Sequence, residues 1–371
     1  MRDDATIALA ANGPLVVAGL FQTASGIGES ARLCADALER AGHDILRVDL
    51  SPGFHQVDLP GVFQAFPRDR VGTVILHMNP PEQQLAFRLL KLYRQRRWRI
   101  IGYWAWEFEI IPEDWAHAAK FLTEIWTPSA FTTKAVSQQI DIPIRTVPHA
   151  VCAPREISST AFADGTKDNV FTVLAMADGR SSLERKNISG AIECFRNAFD
   201  QHDNCRLIVK TRNLDEFPDS ARALRNDAEN DPRIIFIDQS MTNTERWALL
   251  HRADCYLSLH RSEGFGLTIA EAMALGKPVI TTGWSGNMEF TNSENATLCA
   301  YELIEAHDPS GVYQAQPGRR WAAPSIKQAC EGLRTLYANK DARTRVGEAG
   351  KATIATLATG QQYIDALAAR G

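Results

Sequence analysis

Two glutamates, Glu263 and Glu271, flank a Gly-x-Gly step in the segment EGFGLTIAE. Glycine has no Cβ and adopts positive φ at little cost, so the backbone at Gly264 and Gly266 can approach a ligand closely. A helix that begins near Thr268 would direct its free N–H groups and the positive end of its dipole at a phosphate. Carboxylates accept hydrogen bonds from diols such as a ribose or a hexose. The segment therefore indicates a site for a nucleotide-sugar.

This pattern also has an interpretation without a ligand. The dipole alone favours acidic residues at helix starts, and Ala270, Met273 and Leu275 are ordinary packing residues of a helix. A resemblance favours the ligand. EGFGLTIAEAMALGKPVI resembles the E-x7-E signature of retaining glycosyltransferases with the GT-B fold (glycosyl transferases group 1, family 4-like), matching both glutamates, Gly-Phe-Gly and Glu-Ala-Met-Ala. The resemblance implies an α/β protein with two Rossmann-like domains that face each other across a cleft.

Basic residues are concentrated where the chain leaves another apolar segment of the second half. Arg180, Arg185 and Lys186 lie in the stretch VLAMADGRSSLERKN. A pyrophosphate leaving group gains negative charge as a glycosidic bond breaks, and positive side chains stabilise that charge. The resemblance assigns Arg180 and Lys186 to the phosphate-binding pair of the family, with Arg185 as the alternative arginine. A solvated run of surface charges would have the same composition.

Further donor contacts are assigned around these residues. We expect Glu271 to accept hydrogen bonds from the ribose, and Glu263 from a hydroxyl of the donor sugar. The resemblance adds the loop after the segment 234–237 for the nucleotide base, and the loop TTGWSGNMEF, which includes Glu289, for the donor sugar. The predicted catalytic residues are Glu263, Lys186 and Arg180, and the predicted donor-binding residues are Gly26, Gly28, Arg185, Asp238, Gly266, Leu267, Thr268, Glu271 and Asn287.

A second glycine-rich loop, QTASGIGESARLCADALERAG, follows the first predicted strand. Gly26-x-Gly28 with Asp49 further on is similar to a dinucleotide fingerprint, which would make the chain an NAD(P)-linked oxidoreductase. In that fingerprint the first glycine follows the strand directly, whereas residues 22–25 intervene here. The N-terminal domain of a GT-B protein also begins with a strand, a glycine-rich loop that faces the donor phosphate, and a helix. A tight loop without a ligand is a third interpretation.

Candidate acceptor contacts follow strands of the first half. Glu107 and His149 come after predicted strands and His77 lies at the end of one, and the carboxyl ends of parallel strands are where ligands bind. Aromatic residues around Glu107 could stack on a sugar or fill the core. The stretches IIGYWAWEFEIIPEDW and VPHAV resemble a bacterial subgroup of these transferases that serves polysaccharide assembly. A structural role is an equal alternative for each of the three residues.

The stretch 88–99 is rich in arginine and lysine and has no acidic residue. A basic helix can dock on anionic lipid headgroups, at about 1 kcal/mol for each charge near the surface. Leu85, Leu89, Leu92 and Trp98 could supply an apolar face. The stretch therefore predicts peripheral contact with an anionic membrane, against the alternative of a solvated surface helix.

Apolar, β-rich segments alternate with helical patterns along the chain, which is typical of βα units on parallel sheets. The predicted strands are 15–20, 45–49, 71–78, 99–104, 124–127 and 144–147 in the first half, and 170–175, 206–210, 234–237, 255–259 and 278–281 in the second. The predicted organisation is a domain at 1–151, a linker at 152–169, a domain at 170–357, and a C-terminal helix within 358–371 that the resemblance implies crosses back to the first domain.

Composition limits the compartment and the partners. Seven cysteines, odd in number and never in C-x-x-C spacing, indicate a reducing, cytoplasmic location without disulfides or a zinc site. A net charge of −4 does not predict a nucleic-acid partner. Residues 5–28 carry no charge, but Arg2-Asp3-Asp4 and Asn12-Gly13-Pro14 disfavour a signal peptide or an anchor. No D-x-D follows a strand, so we expect no metal and no tightly bound cofactor.

The resemblance thus implies a retaining glycosyltransferase. A hexose, mannose or glucose, would move from a nucleoside-diphosphate sugar to a saccharide or lipid-linked saccharide in surface polysaccharide synthesis. The resemblance implies that the leaving phosphate accepts the acceptor's proton on the same face of the sugar. The alternatives are the NAD(P)-linked oxidoreductase, a GT-B epimerase or phosphorylase, and a non-catalytic nucleotide-binding module.

Overall fold

The computed structural model of the chain describes residues 12–95, 97–157, 169–228, 230–314 and 316–369. Most of the predicted linker, Arg96 of the basic stretch, and residues 5–11 of the uncharged N-terminal stretch lie outside the described residues. Contacts along the chain group it into two compact units. Unit 1 is Met1–Ala150 with Leu357–Gly371, and unit 2 is Val151–Thr356.

Unit 1 contains a six-stranded parallel sheet in the order β2-β1-β3-β4-β5-β6. Its strands are β1 (Leu15–Gly19), β2 (Ile45–Asp49), β3 (Thr73–His77), β4 (Arg99–Tyr103), β5 (Glu124–Thr127) and β6 (Ile144–Thr146). Its α-helices are α1 (Gly26–Arg40), α2 (Pro80–Leu90), α3 (Trp115–Ala119), α4 (Ala130–Ser137) and, near the C-terminus, α12 (Gln361–Ala368), and 3-10 turns occur at Ser51–Phe54 and Leu92–Arg94.

Helix α1 shows how the sequence builds these layers. The side chain of Ser25 caps its first turn and accepts a hydrogen bond from the Gly28 N–H at 3.2 Å. Ala31, Cys34 and Leu38 recur at helical spacing and are fully buried against the sheet. This apolar stripe fixes the helix on the core and leaves its start beside the end of β1.

Helix α12 belongs to the core of unit 1. The guanidinium of Arg99 donates to the carbonyls of Ala366, Leu367 and Ala369, the free acceptors at the end of this helix. Arg99 also pairs with the buried carboxylate of Glu124. The last helix is therefore tied to the sheet by a buried, charge-assisted hydrogen-bond network.

Unit 2 contains a second six-stranded parallel sheet, in the order β12-β11-β10-β7-β8-β9, and a separate antiparallel hairpin of β13 and β14. Its strands are β7 (Phe171–Met176), β8 (Cys205–Thr211), β9 (Ile234–Asp238), β10 (Cys255–Ser258), β11 (Val279–Thr282), β12 (Thr297–Cys299), β13 (Tyr301–Glu305) and β14 (Arg320–Pro324). Its α-helices are α5 (Leu183–Lys186), α6 (Ile188–Ala198), α7 (Pro218–Asp227), α8 (Asn243–Arg252), α9 (Leu267–Ala274), α10 (Ile326–Ala338) and α11 (Lys340–Ala358), with 3-10 turns at Gly179–Ser181, Leu214–Glu216 and Gly286–Glu289.

The predicted α/β class is confirmed, and each of the eleven predicted strands overlaps a strand of the two sheets. Strand β12 and the β13–β14 hairpin are absent from the prediction. Strands such as Thr73–His77 and Cys205–Thr211 are buried along their whole length, as expected for parallel strands covered on both faces.

Candidate functional site

The carboxylate of Glu263 lies in the loop between β10 and α9 and is 7% exposed. Its Oε1 lies 2.5 Å from Nζ of Lys186 and 3.4 Å from Nη1 of Arg185. The Glu263 N–H donates to Oγ of Ser285 at 2.8 Å, which holds the backbone of the loop. Glu263, Lys186 and Arg185 are called the charged corner below.

The charged corner is ionised and carries excess positive charge. Burial raises the pKa of Glu263, but the charges of Lys186, Arg185 and His260 and the Lys186 hydrogen bond outweigh it and lower this pKa to about 2. Burial lowers the pKa of His260 to about 4, so this imidazole is neutral at pH 7. Two cations against one carboxylate leave a net charge of +1, which favours an anionic ligand.

Two backbone turns deliver the basic side chains to this corner. Ser182 has a positive φ of 60°, and its side chain caps the four-residue helix α5 by accepting from the Arg185 N–H. Asn187, with φ of 53°, ends α5 and starts α6, and its Nδ2 donates to the Leu259 carbonyl at 2.8 Å. These two turns therefore bring Arg185 and Lys186 to the chain that precedes Glu263.

Gly266 is the N-cap of α9 and has a φ of 95°, a conformation that favours glycine. The helix begins at Leu267, one residue before the predicted Thr268, and no side chain of a described residue caps it. The neighbouring loop is equally tight, because a Cβ on Gly286 would lie 2.2 Å from the Gly264 carbonyl oxygen. The helix start thus has the geometry that suits a phosphate.

Glu271 is 2% exposed on α9 and pairs with Arg246 of α8. Arg246 is absent from the sequence prediction, because only the fold brings these two helices together. On the same helix, Oγ1 of Thr268 lies 2.7 Å from the hydroxyl of Tyr256. The second glutamate is therefore held in place beside a guanidinium.

The two candidate arginines have different partners. Arg180 lies in the 3-10 turn Gly179–Ser181, with a side chain that is 60% exposed and donates to both oxygens of Glu216. Arg185 is buried and contacts Glu263, and its Nη1 also donates to the Ser262 carbonyl at 2.6 Å. The guanidinium that the structure brings to the charged corner is therefore that of Arg185.

The other predicted donor contacts of unit 2 lie at strand ends. Asp238 is exposed at the end of β9. The following loop is held by Lys210, whose Nζ donates to the Gln239 carbonyl at 2.8 Å, and whose pKa is lowered to about 8 by burial. Asn287 follows β11 and is fully buried, with its Nδ2 donating to the Thr282 carbonyl at 3.0 Å. The sequence does not indicate Lys210, because its contact with Gln239 forms only when β8 pairs with β9.

The glycine-rich loop of unit 1 is closely packed. Gly26 and Gly28 open α1, and a Cβ on Gly28 would lie 2.4 Å from the Thr23 carbonyl oxygen. Asp49 ends β2, and its Oδ1 accepts a hydrogen bond from the hydroxyl of Ser51 at 2.7 Å. The predicted residues of the dinucleotide alternative thus participate in local turn contacts.

Two candidate acceptor residues of unit 1 form a buried column with Tyr103. The rings of His77 and His149 each stack on the Tyr103 ring, at centroid distances of 4.5 and 5.3 Å. Nδ1 of His77 lies 2.7 Å from Oγ of Ser30, and the Tyr103 hydroxyl donates to the Val147 carbonyl. Burial lowers the pKa of His77 well below its usual value and that of His149 to about 3. Glu107 is half-buried in the loop after β4.

The basic stretch is not a single helix, which corrects the sequence interpretation. Helix α2 ends at Leu90, and Lys91 with a φ of 57° breaks it. Arg99 is internal in β4, and Leu92 and Trp98 are buried. The exposed apolar side chains are those of Leu85, Leu89, Tyr93 and Phe121, and the last two form an edge-on contact at 4.9 Å.

Two further properties of the described residues bear on the site. None of the helices among them has the length and apolar character needed to cross a membrane. Within these ranges, no group of three or more His, Cys, Asp or Glu side chains is arranged to hold a metal ion.

Residues 171–307 match the family Glycosyl transferases group 1. A viral protein of the Sulfolobus islandicus filamentous virus, provisionally named glycosyltransferase 48, is 30% identical over 114 residues, which cover 31% of this chain and 30% of that protein. The chain therefore matches less than a third of the length of this curated relative.

Two solved structures are similar over nearly the whole chain. Anabaena HepE, solved with UDP and glucose, has a TM-score of 0.65 and 12% identity, covering 97% of this chain and 100% of its own. A glycosyltransferase of Rickettsia africae has a TM-score of 0.63 and 12% identity, covering 96% of this chain and 98% of its own. The predicted GT-B fold is confirmed, and the segment that matches the Glycosyl transferases group 1 family lies in the second half of the chain.

Proposed function

We propose that this chain is a retaining glycosyltransferase of the E-x7-E type. It moves a hexose, mannose or glucose, from a nucleoside-diphosphate sugar to a saccharide or lipid-linked saccharide acceptor in surface polysaccharide synthesis. The observation that carries the proposal is the charged corner, which has a net positive charge and lies in a glycosyl transferases group 1 domain. HepE, whose fold this chain shares, has been solved with UDP and glucose, which supports a UDP-sugar as the first donor to test.

Lys186 and Arg185 hold the diphosphate of the donor in this proposal, with the N–H groups of Gly266, Leu267 and Thr268 at the start of α9. The charge on the diphosphate increases as the glycosidic bond breaks, so these groups act most strongly on the transition state. The resemblance assigns this role to Arg180, whose exposed side chain pairs with Glu216. We therefore propose that Arg185 is the arginine that binds the diphosphate. Arg180 is retained as a second, more distant candidate for this contact.

Glu263 positions the donor sugar. A carboxylate with a pKa of about 2 stays ionised at neutral pH, so it accepts hydrogen bonds and does not donate a proton. It already pairs with two cations, and this lowers its nucleophilicity, so a covalent glycosyl-enzyme is not part of the proposal. Glu271 accepts hydrogen bonds from the ribose, Asn287 contacts the donor sugar, and the loop after Asp238 holds the base.

The proposed reaction breaks the bond between the anomeric carbon and the diphosphate oxygen. A new bond forms between that carbon and the acceptor oxygen on the same face, and the acceptor's proton moves to the leaving diphosphate. Lys186 and Arg185 stabilise the leaving group throughout. The configuration at the anomeric carbon is retained, and no metal or tightly bound cofactor enters these steps.

The acceptor side is proposed for unit 1. His77 and His149 are neutral and buried, so they do not attract an anion, and in this proposal they position the groups around them on the acceptor side. Glu107 is the third acceptor candidate. The exposed Tyr93 and Phe121, near the basic side chains of α2 and the turn after it, support contact with an anionic membrane at the cytoplasmic face. A lipid-linked acceptor would be presented there.

The test is incubation of the full chain with UDP-glucose, UDP-GlcNAc, GDP-mannose and ADP-glucose, with and without saccharide acceptors, followed by proton NMR. Release of nucleoside diphosphate with a product of unchanged anomeric configuration is expected for one donor. Inversion of that configuration would disprove the retaining mechanism. Turnover of no donor, together with binding of a nucleoside diphosphate, would identify a non-catalytic nucleotide-binding module.

A further inference from the structure

An aromatic ring from the hairpin of unit 2 covers the arginine of the charged corner. The guanidinium carbon of Arg185 lies 5.7 Å from the centroid of the Tyr313 ring. A guanidinium within about 6 Å of an aromatic face is attracted by the ring quadrupole, more strongly where water is excluded. Arg185 is buried and Tyr313 half-buried, so this contact is largely shielded from solvent.

The loop that connects β13 and β14 is built to hold Tyr313. Asp308 accepts hydrogen bonds from the hydroxyl of Ser310 at 2.6 Å and from the Tyr313 N–H at 3.0 Å. At the other end, Nη1 of the buried Arg319 donates to the Gln314 carbonyl at 3.0 Å. Polar contacts therefore fix the backbone on both sides of the ring.

The hairpin is also bonded directly to the chain that carries Arg185. The Ala322 N–H of β14 donates to the Arg261 carbonyl at 2.8 Å, and the Arg261 N–H donates to the Arg185 carbonyl at 2.7 Å. The Arg261 guanidinium pairs with Glu184 at 2.9 Å and lies 5.8 Å from the centroid of Trp321. The hairpin thus supports the backbone of Arg185, and Tyr313 supports its side chain.

We propose that Tyr313 is a positioning residue for the donor diphosphate and that it acts through Arg185. This inference rests on the proposed function, in which Arg185 is a phosphate contact. The ring covers one face of the guanidinium, so the side chain is held in one orientation before the ligand arrives. Less conformational freedom is then lost when the diphosphate binds, which increases affinity without a direct contact to the ligand.

The experiment is isothermal titration of the full chain with UDP, GDP and ADP, which identifies the nucleoside diphosphate that binds and measures its Kd. Tyr313→Ala is expected to weaken that binding about five- to tenfold, the range of a partly desolvated cation–π contact. Tyr313→Phe keeps the ring and is expected to stay within about twofold of wild type. Val312→Ala, an exposed neighbour, is the matched control with unchanged Kd.

The coupling to Arg185 is measured with Arg185→Met, which removes the charge but leaves Lys186 to pair with Glu263. Adding Tyr313→Ala to Arg185→Met is expected to cause no further loss of affinity, because the ring then has no guanidinium to hold. Thermal unfolding of each variant shows whether it is folded. If Arg185→Met does not fold, the positioning role is tested by the nucleotide Kd of Tyr313→Ala compared with that of Tyr313→Phe.

The outcomes separate this inference from the proposed function. A wild-type chain that binds none of the three nucleoside diphosphates overturns both. Wild-type binding with an unaffected Tyr313→Ala overturns the positioning role only. Equal losses for Tyr313→Phe and Tyr313→Ala, or an additive loss in the double variant, likewise overturn the action of the ring through Arg185.

Discussion

The two units place polar residues at the same kind of position, the ends of parallel strands, but the two sets differ in charge. In unit 2, Glu263 lies between Lys186 and Arg185, with a pKa of about 2 and a net charge of +1 in the cluster. In unit 1, His77 and His149 stack on Tyr103, and burial keeps both imidazoles neutral at pH 7. The cluster in unit 2 is charged and the histidine pair in unit 1 is neutral, which is why donor binding is proposed for the first and the acceptor side for the second.

This difference shows why a fold alone does not assign chemistry. Both sheets are parallel and six-stranded, and both begin with a strand, a loop and a helix. Burial acts on all of these groups and disfavours their charged forms. In the charged corner, neighbouring charges compensate for burial, and Glu263 stays ionised. In unit 1, burial keeps His77 and His149 uncharged. This difference predicts that binding of the nucleotide depends on residues of unit 2. Transfer to the acceptor should depend in addition on residues of unit 1.

The largest effect is expected for the charged corner itself. Lys186→Ala and Glu263→Ala should each lower kcat about 100- to 1000-fold, because each removes a group that the proposed function places at the reacting centre. Circular dichroism and thermal unfolding should show that both variants remain folded. Full activity in either variant would remove the charged corner from the mechanism. Arg180→Ala and Arg185→Met, measured in the same assay, show which guanidinium contributes more.

The stability of the charged corner depends on pH in a defined direction. The pKa of Glu263 is lowered from 4.5 to about 2, so its contribution is fully present above pH 4.5 and is lost as the pH falls through about 2. At about 1.4 kcal/mol for each tenfold change, this amounts to about 3 kcal/mol. Urea unfolding of wild type and Glu263→Gln should show a difference that decreases between pH 5 and pH 3. A difference that is constant over this range would contradict the ionised pair.

The ribose contact should affect binding and leave the fold unchanged. Glu271→Ala is expected to raise the Kd of the nucleoside diphosphate about 10- to 100-fold, the range of hydrogen bonds to a charged group. Arg246→Met leaves the carboxylate without the guanidinium that orients it and should cause a smaller loss. Glu302→Ala, on an exposed strand of the same unit, is the control. Unchanged binding in Glu271→Ala would refute the ribose role.

The aromatic column should affect transfer without affecting donor binding. His149→Phe keeps the stack on Tyr103 and removes the ring nitrogens, so we expect about tenfold lower kcat/KM for the acceptor at an unchanged nucleotide Kd. The pH profile of the wild type should show no step from these histidines between pH 5 and 8, since the pKa of His149 is about 3. Weaker nucleotide binding in His149→Phe would remove the distinction between the two units.

The smallest effect is expected at the surface of unit 1. Arg88→Gln should weaken binding to phosphatidylglycerol vesicles about fivefold, since each basic residue near an anionic surface contributes about 1 kcal/mol. Co-sedimentation at low and high salt measures this, with phosphatidylcholine vesicles as the uncharged control. Equal binding to both vesicle types would leave the basic side chains without a role in membrane contact.

Much of the fold was predictable because parallel strands are continuous apolar runs. Strands in segments such as 71–78 and 255–259 could be predicted from their apolar composition and from the turn residues at their ends. The hairpin was missed because Tyr301–Glu305 is largely exposed and Arg320–Pro324 has no β-branched residue and contains a proline. Strand β12 has only three residues, with Ala300 alone between it and β13.

The site was predictable where one short segment contained it. Glu263, the glycines and Glu271 were recognisable together, since the Gly266 turn and the helix start follow from local residues. Arg246, Lys210 and Tyr313 were not predictable, because each contacts the site from a distant part of the chain. The choice between Arg180 and Arg185 depends on the positive φ at Ser182. A serine in the sequence does not indicate this backbone conformation, so the choice could not be predicted.

The proposed function requires unit 2 to bind a nucleoside diphosphate at the charged corner. Thermal-shift titration with UDP, GDP, ADP and NAD(P)H at millimolar concentration tests it most directly, since a ligand at a hundred times its Kd adds about 2.7 kcal/mol of stability. We predict a shift with one nucleoside diphosphate that falls by about half or more in Glu271→Ala, as a 10- to 100-fold higher Kd requires. A shift with NAD(P)H alone would contradict the account and favour an oxidoreductase that uses Gly26, Gly28 and Asp49.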